Sequence, residues 1–116
     1  MIEKMDKNSV INILRNNFIR STKAYSIYLR RKTYYNAKRI YNANEIVYHS
    51  LNQLLQYDLT DNELGEIINY QFHLENWFIQ FQNKEKKILS IEEEFVFEPF
   101  EDNIPFPKNF LEIFDI

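Results

Sequence analysis

At 116 residues, with 45% hydrophobic and 16% aromatic content, the chain is long enough for one core, and a single domain over 1–116 is expected. The absence of cysteine excludes disulfide stapling, thiolate catalysis and Cys-based zinc sites, and a single glycine is too few for phosphate-cradling loops or the tight turns of sheets. The net charge of −3 conceals a sorting that bears on partners rather than fold: nine basic residues and no acid between Lys7 and Asn44, then eight acids and one lysine after Ile88.

The first residues, Met1-Ile2-Glu3-Lys4-Met5-Asp6, lack the apolar core of a signal peptide. No apolar run reaches the roughly 20 residues that cross a bilayer. A cytoplasmic protein of the producing or host cell, without membrane contact, is therefore expected. Asp6 to Ser9 offers N-cap candidates, and Val10, Leu14, Phe18, Ser21, Tyr25 and Tyr28 follow at the spacing of one helix face. One helix from there to residue 57 would extend roughly 75 Å, so a break is expected. The adjacent cations Arg30-Arg31-Lys32 before Thr33 supply one candidate. Asn42-Ala43-Asn44-Glu45, with an Asn three residues before a Glu, supplies the other. Helices near 8–31 and 33–57 are the preferred division.

Thr60-Asp61-Asn62-Glu63 fits a capping box, with Leu59 and Leu64 placed for a hydrophobic staple. Asp61, Glu63 and Glu66 at the start, and Lys84, Lys86 and Lys87 near the end, complement the helix dipole. This helix is expected to run to about Leu89 through Ile67, Ile68, Phe72, Leu74, Trp77, Phe78 and Phe81. Gly65 in its first turn costs about 1 kcal/mol against Ala and is read as a mark of close helix approach. After Ser90 the chain turns acidic and aromatic. Phe95-Val96-Phe97-Glu98 has the composition of an extended segment, and Pro99, Pro105 and Pro107 forbid a continuous helix. A helical turn or two fits Lys108–Phe114. The expected fold is all-α: two or three long antiparallel helices over 1–90, with an irregular acidic aromatic segment, 91–116, laid against them.

The basic region interleaves cations with tyrosines. Arg20, Lys23, Arg30, Arg31, Lys32, Tyr34, Tyr35, Lys38, Arg39 and Tyr41 are the candidate partner-binding residues. Cations meet phosphates and flat rings stack on bases, so the mixture suits RNA or single-stranded DNA. Tyr and Arg also dominate protein hot spots, so an acidic protein groove is served equally. Two internal readings compete with these: tyrosines completing the core, or the acidic segment folding back over the basic helices. The tail, Glu92-Glu93-Glu94 followed by Phe95, Phe97, Phe100, Phe106, Phe110 and Phe114, either mimics nucleic-acid charge or completes the core with its rings.

Only His49 and His73 are present, and no Glu-x-x-His pair, Walker loop or nucleophile elbow occurs. No catalytic residue, metal or cofactor is expected. In charge polarity, length, lack of cysteine and lack of enzyme motifs the whole chain resembles the small phage-type anti-CRISPR inhibitors. The resemblance implies surface binding to a nuclease effector. The basic Tyr-rich stretch Arg30 to Tyr41 would suit an RNA-handling one, such as a type VI-B CRISPR RNase. Toxin–immunity inhibitors share the same texture. The expected function is non-enzymatic, protein-binding inhibition of a nuclease or nucleic-acid-handling effector. Direct RNA or single-stranded DNA binding, and a toxin-immunity or structural partner role, are the alternatives.

Overall fold

A computed structural model describes residues 6–97. Three helices account for most of them. Helix α1 (Lys7–Arg30) begins at Asp6, whose backbone is extended and whose carboxylate accepts from the Ser9 N–H at 2.8 Å. It ends where Arg31 turns extended, at φ −147° and ψ 101°. Two residues later Thr33 caps α2 (Tyr34–Leu54), its hydroxyl accepting from the Asn36 N–H at 3.3 Å. The break thus falls at Arg31–Thr33, and the Asn42–Glu45 stretch is uninterrupted helix. Helix α2 stops earlier than expected because its last turn tightens. Leu55, Gln56 and Tyr57 each donate to the carbonyl three residues back. Helix α3 (Asp61–Glu85) ends before Leu89 for the same reason, with Lys87 and Ile88 donating to Lys84 and Glu85.

The pairing of buried side chains fixes the topology. Val10, Ile11 and Leu14 at the start of α1 meet Val47, Leu51 and Leu54 at the end of α2, with Ile67, Tyr70 and Leu74 of α3 closing the layer. At the opposite end Ala24 and Tyr28 meet Ala37, Ile40 and Tyr41, together with Trp77 and Phe81. Helices α1 and α2 are therefore antiparallel, and α3 returns alongside them, antiparallel to α2. Small residues at the α1–α2 crossing let those two backbones approach closely. Ala24, Ala37 and Ala43 are buried there, and the Ser21 hydroxyl donates to the Asn44 side-chain carbonyl at 2.9 Å. Phe78 packs against both layers.

The capping box of α3 is complete. The Thr60 hydroxyl accepts from the Glu63 N–H at 3.1 Å, and the Glu63 carboxylate accepts from the Thr60 N–H at 2.9 Å. Its second oxygen takes the Lys7 ammonium at 3.0 Å, tying the start of α1 to the start of α3. Burial alone would raise the Glu63 carboxyl. The Thr60 N–H and the Lys7 ammonium outweigh it and hold the group below its ordinary value. Thr60→Ala is expected to cost about 1 kcal/mol through the lost cap. A urea titration checks this, and an unmoved midpoint would show that the cap contributes nothing.

Two expectations for α3 change. Among the described residues nothing lies within 4 Å of where a Cβ on Gly65 would stand. Ile68 and Phe72 point outward, because the core-facing arc is already filled by Ile67, Tyr70, Leu74, Trp77 and Phe81. Leu59 packs on the core, whereas Leu64 is exposed.

After α3 the chain runs back to the α1–α2 joint, forming an isolated antiparallel bridge between Thr33 and Glu94. Phe95 and Phe97 are buried among Tyr28, Tyr41, Trp77 and Phe81. Over 91–97 the irregular acidic segment lies against the helices. Its continuation, with Phe100, Phe106, Phe110, Phe114 and the suggested turn at Lys108–Phe114, lies outside the described residues.

Candidate partner-binding surface

Geometry divides the ten candidate residues into three groups. The first is committed to the interior. Tyr41 is buried, with its ring 4.9 Å from that of Phe81 and 6.0 Å from that of Trp77, and its hydroxyl accepts from the Gln82 side-chain amide at 2.8 Å. The Tyr34 ring lies 5.5 Å from that of Phe95, tilted against it, and its hydroxyl donates to Glu85. Lys38 reaches the same Glu85 oxygen at 3.0 Å while its ammonium lies 4.0 Å from the centre of the Tyr41 ring. Burial and the Glu85 carboxylate push the Tyr34 phenol up to about 12. Burial opposes ionisation of Glu85 too, but the Tyr34 hydroxyl and the Lys38 ammonium hold its carboxyl below the ordinary value. Tyr41 is buried, and Tyr34 and Lys38 are half-buried and tied into its network.

The second group is the joint between α1 and α2, and the acidic segment covers it mainly with backbone. The N–H groups of Tyr34 and Tyr35, which a helix start leaves without intrahelical partners, donate to the carbonyls of Glu93 at 2.8 Å and Ile91 at 2.9 Å. With Asn36 on the Thr33 hydroxyl, the first turn of α2 is fully satisfied. The Phe95 N–H donates to the Lys32 carbonyl at 2.8 Å. Arg31 pairs with Glu92 at 3.0 Å, an exposed contact worth little by itself. The fold-back of acids onto the basic region thus occurs, and its strong links are main-chain ones. The Tyr28 hydroxyl locks the segment by donating to the Phe95 carbonyl and accepting from the Phe97 N–H.

The third group faces solvent. Arg20, Lys23 and Arg30 are exposed on α1, as are Lys32 in the joint and Tyr35 and Arg39 on α2. Arg15 joins them, although the sequence reading did not select it. Its position four residues before Ile19 and eight before Lys23 places all three on the outer arc of α1. Among the described residues no carboxylate pairs with Arg15, Arg20, Lys23, Arg30, Lys32 or Arg39. The α1 row from Arg15 to Arg30 runs roughly 22 Å at 1.5 Å per residue. Ile19, Ile27 and Leu29 are exposed between these cations.

Among the described residues, no three His, Cys, Asp or Glu side chains are grouped to hold a metal, and no helix is long and apolar enough to cross a membrane. No family model, curated protein or solved structure matches the chain.

Proposed function

We propose that the chain is a non-enzymatic, cytoplasmic inhibitor that binds a nuclease or other nucleic-acid-handling effector through the outer face of α1, in the manner of the anti-CRISPR proteins it resembles. The observation that supports a protein partner is the segregation of rings from cations. Stacking on bases requires exposed aromatic faces, yet Tyr28, Tyr34 and Tyr41 are turned into the structure, leaving Tyr35 as the exposed ring beside Arg39. What alternates with the outward cations is aliphatic: Ile19, Ile27 and Leu29. Cations with aliphatic neighbours match an acidic protein surface that has apolar recesses. A toxin-immunity inhibitor would use the same face. Direct binding of RNA or single-stranded DNA through the basic region would use Tyr35 as its exposed ring, together with phosphate contacts.

The test is affinity capture by the purified protein from lysate, with and without nuclease treatment, against the variant Arg20→Glu, Lys23→Glu, Arg30→Glu. All three positions are exposed, so circular dichroism should be unchanged. Capture of a protein that survives nuclease treatment and weakens on the order of 100-fold in the triple variant is the expected result. A gel shift with purified RNA that collapses with added salt, through counterion release, would move the assignment to nucleic acid.

A further inference from the structure

The outer face of α3 is apolar along most of its length, and nothing within the described residues covers it. Leu64, Ile68, Phe72 and Ile79 are 39%, 53%, 59% and 55% exposed. At 100° per residue they fall within one arc of about 80°, opposite the core-facing arc. They span roughly 22 Å along the helix. Isolated exposed apolar residues are ordinary, but a row of this kind, interrupted within its arc by Glu75 between Phe72 and Ile79, marks an interaction surface. Gly65 stands about 20° beyond the edge of this arc, and among the described residues nothing lies within 4 Å of where its Cβ would stand. It leaves room for another backbone to come near.

We infer that this stripe is where two copies of the chain associate, α3 against α3 in antiparallel orientation. The argument for a second copy is the charge order along the same arc. Asp61 stands at its beginning, where the helix dipole is positive, and Lys86 stands at its end. Both are exposed, and neither has an ion-pair partner among the described residues. Antiparallel alignment about a two-fold axis just past Phe72 sets Asp61 opposite the partner copy's Lys86 and Ile68 opposite its Ile79. The two Phe72 rings then flank the axis. One rotation satisfies both ends at once, as an isologous contact requires. A parallel pair would align like charges. Glu75, the acid nearest the midpoint, accepts from the Tyr48 hydroxyl, which draws it toward α2 and off the stripe. The contact uses no α1 residue, so it is independent of the partner-binding face proposed above.

Sedimentation velocity of the full chain, over about 1 to 100 µM, is the experiment. The expected species has twice the chain mass of 14.2 kDa. Phe72→Asp should raise the dissociation constant about 30-fold or more, as the loss of a central anchor does. Asp61→Lys should weaken association by setting like charges together, and adding Lys86→Asp should restore it. Circular dichroism of each variant checks that the helices persist, and Arg20→Glu should leave association unchanged. A chain that stays at 14.2 kDa throughout, or a dimer indifferent to Phe72→Asp, overturns the proposal. A charge exchange that fails to restore association overturns the antiparallel register. A monomer whose Phe72→Asp variant loses a different cellular protein would give the stripe to that protein instead.

Discussion

Phe81→Ala is expected to lower the stability of the protein by about 3–5 kcal/mol, the range for removing a buried aromatic ring. Phe81 is fully buried at the meeting point of every element at its end of the bundle. Its ring lies 4.9 Å from that of Tyr41 on α2, 5.3 Å from that of Trp77 on its own helix, and 4.9 and 5.4 Å from those of Phe95 and Phe97. Such neighbours cannot all collapse into the space left behind, because three separate backbones hold them. A domain is stable by only about 5–15 kcal/mol, so this single change consumes a large share. Asn83→Ala, on the exposed side of the same helix, should stay within about 0.5 kcal/mol of the parent. Urea unfolding followed by circular dichroism measures both. Equal midpoints for the two variants would show that the aromatic cluster does not hold the helices together.

Tyr28→Phe isolates the second determinant. The ring is kept and only the hydroxyl is lost, so packing with Ala24, Phe95 and Phe97 is preserved. What disappears is a donor to the Phe95 carbonyl and an acceptor for the Phe97 N–H, both buried. Unpaired buried groups cost their desolvation, and a loss of about 1–3 kcal/mol is expected. The loss should be felt first in the 91–97 segment, where the Phe97 ring lies edge-on to Trp77 at 5.7 Å. Trp77 is the chain's single tryptophan, so its fluorescence reports this region directly. An emission spectrum and a denaturation midpoint both identical to the parent would show that the hydroxyl is dispensable.

Much of the framework was legible because local chemistry encodes it. Asp6 and Thr60 are short polar acceptors placed before apolar periodicity, and both cap helices as their types require. The break near Arg31 was legible through crowded like charges, although the cap itself is Thr33. The candidate surface was less legible, because interleaving along the chain is not interleaving in space. Tyr34 and Tyr35 are adjacent, yet on a helix they point about 100° apart; one packs against Phe95 and the other is 52% exposed. The apolar stripe of α3 escaped for a related reason. A helix that is apolar on more than one arc does not announce which arc the core will take. The sealing of the α1–α2 joint left no side-chain signal, since the groups that accomplish it are the carbonyls of Ile91 and Glu93.

That sealing sets an order on the birth of the molecule. Helices α1 and α2 can pair once both have left the ribosome, starting from their joint, where the contacting residues are close in sequence. The opening turn of α2, however, depends on carbonyls made nearly sixty residues later. Until residues 91–97 emerge, the amides of Tyr34 and Tyr35 must borrow water, and the crevice that receives Phe95 and Phe97 stands open to solvent. Contacts of such sequence separation are formed against a loop-closure cost and come late. Over this interval the nascent protein has its cationic side already displayed and its aromatic end unfinished.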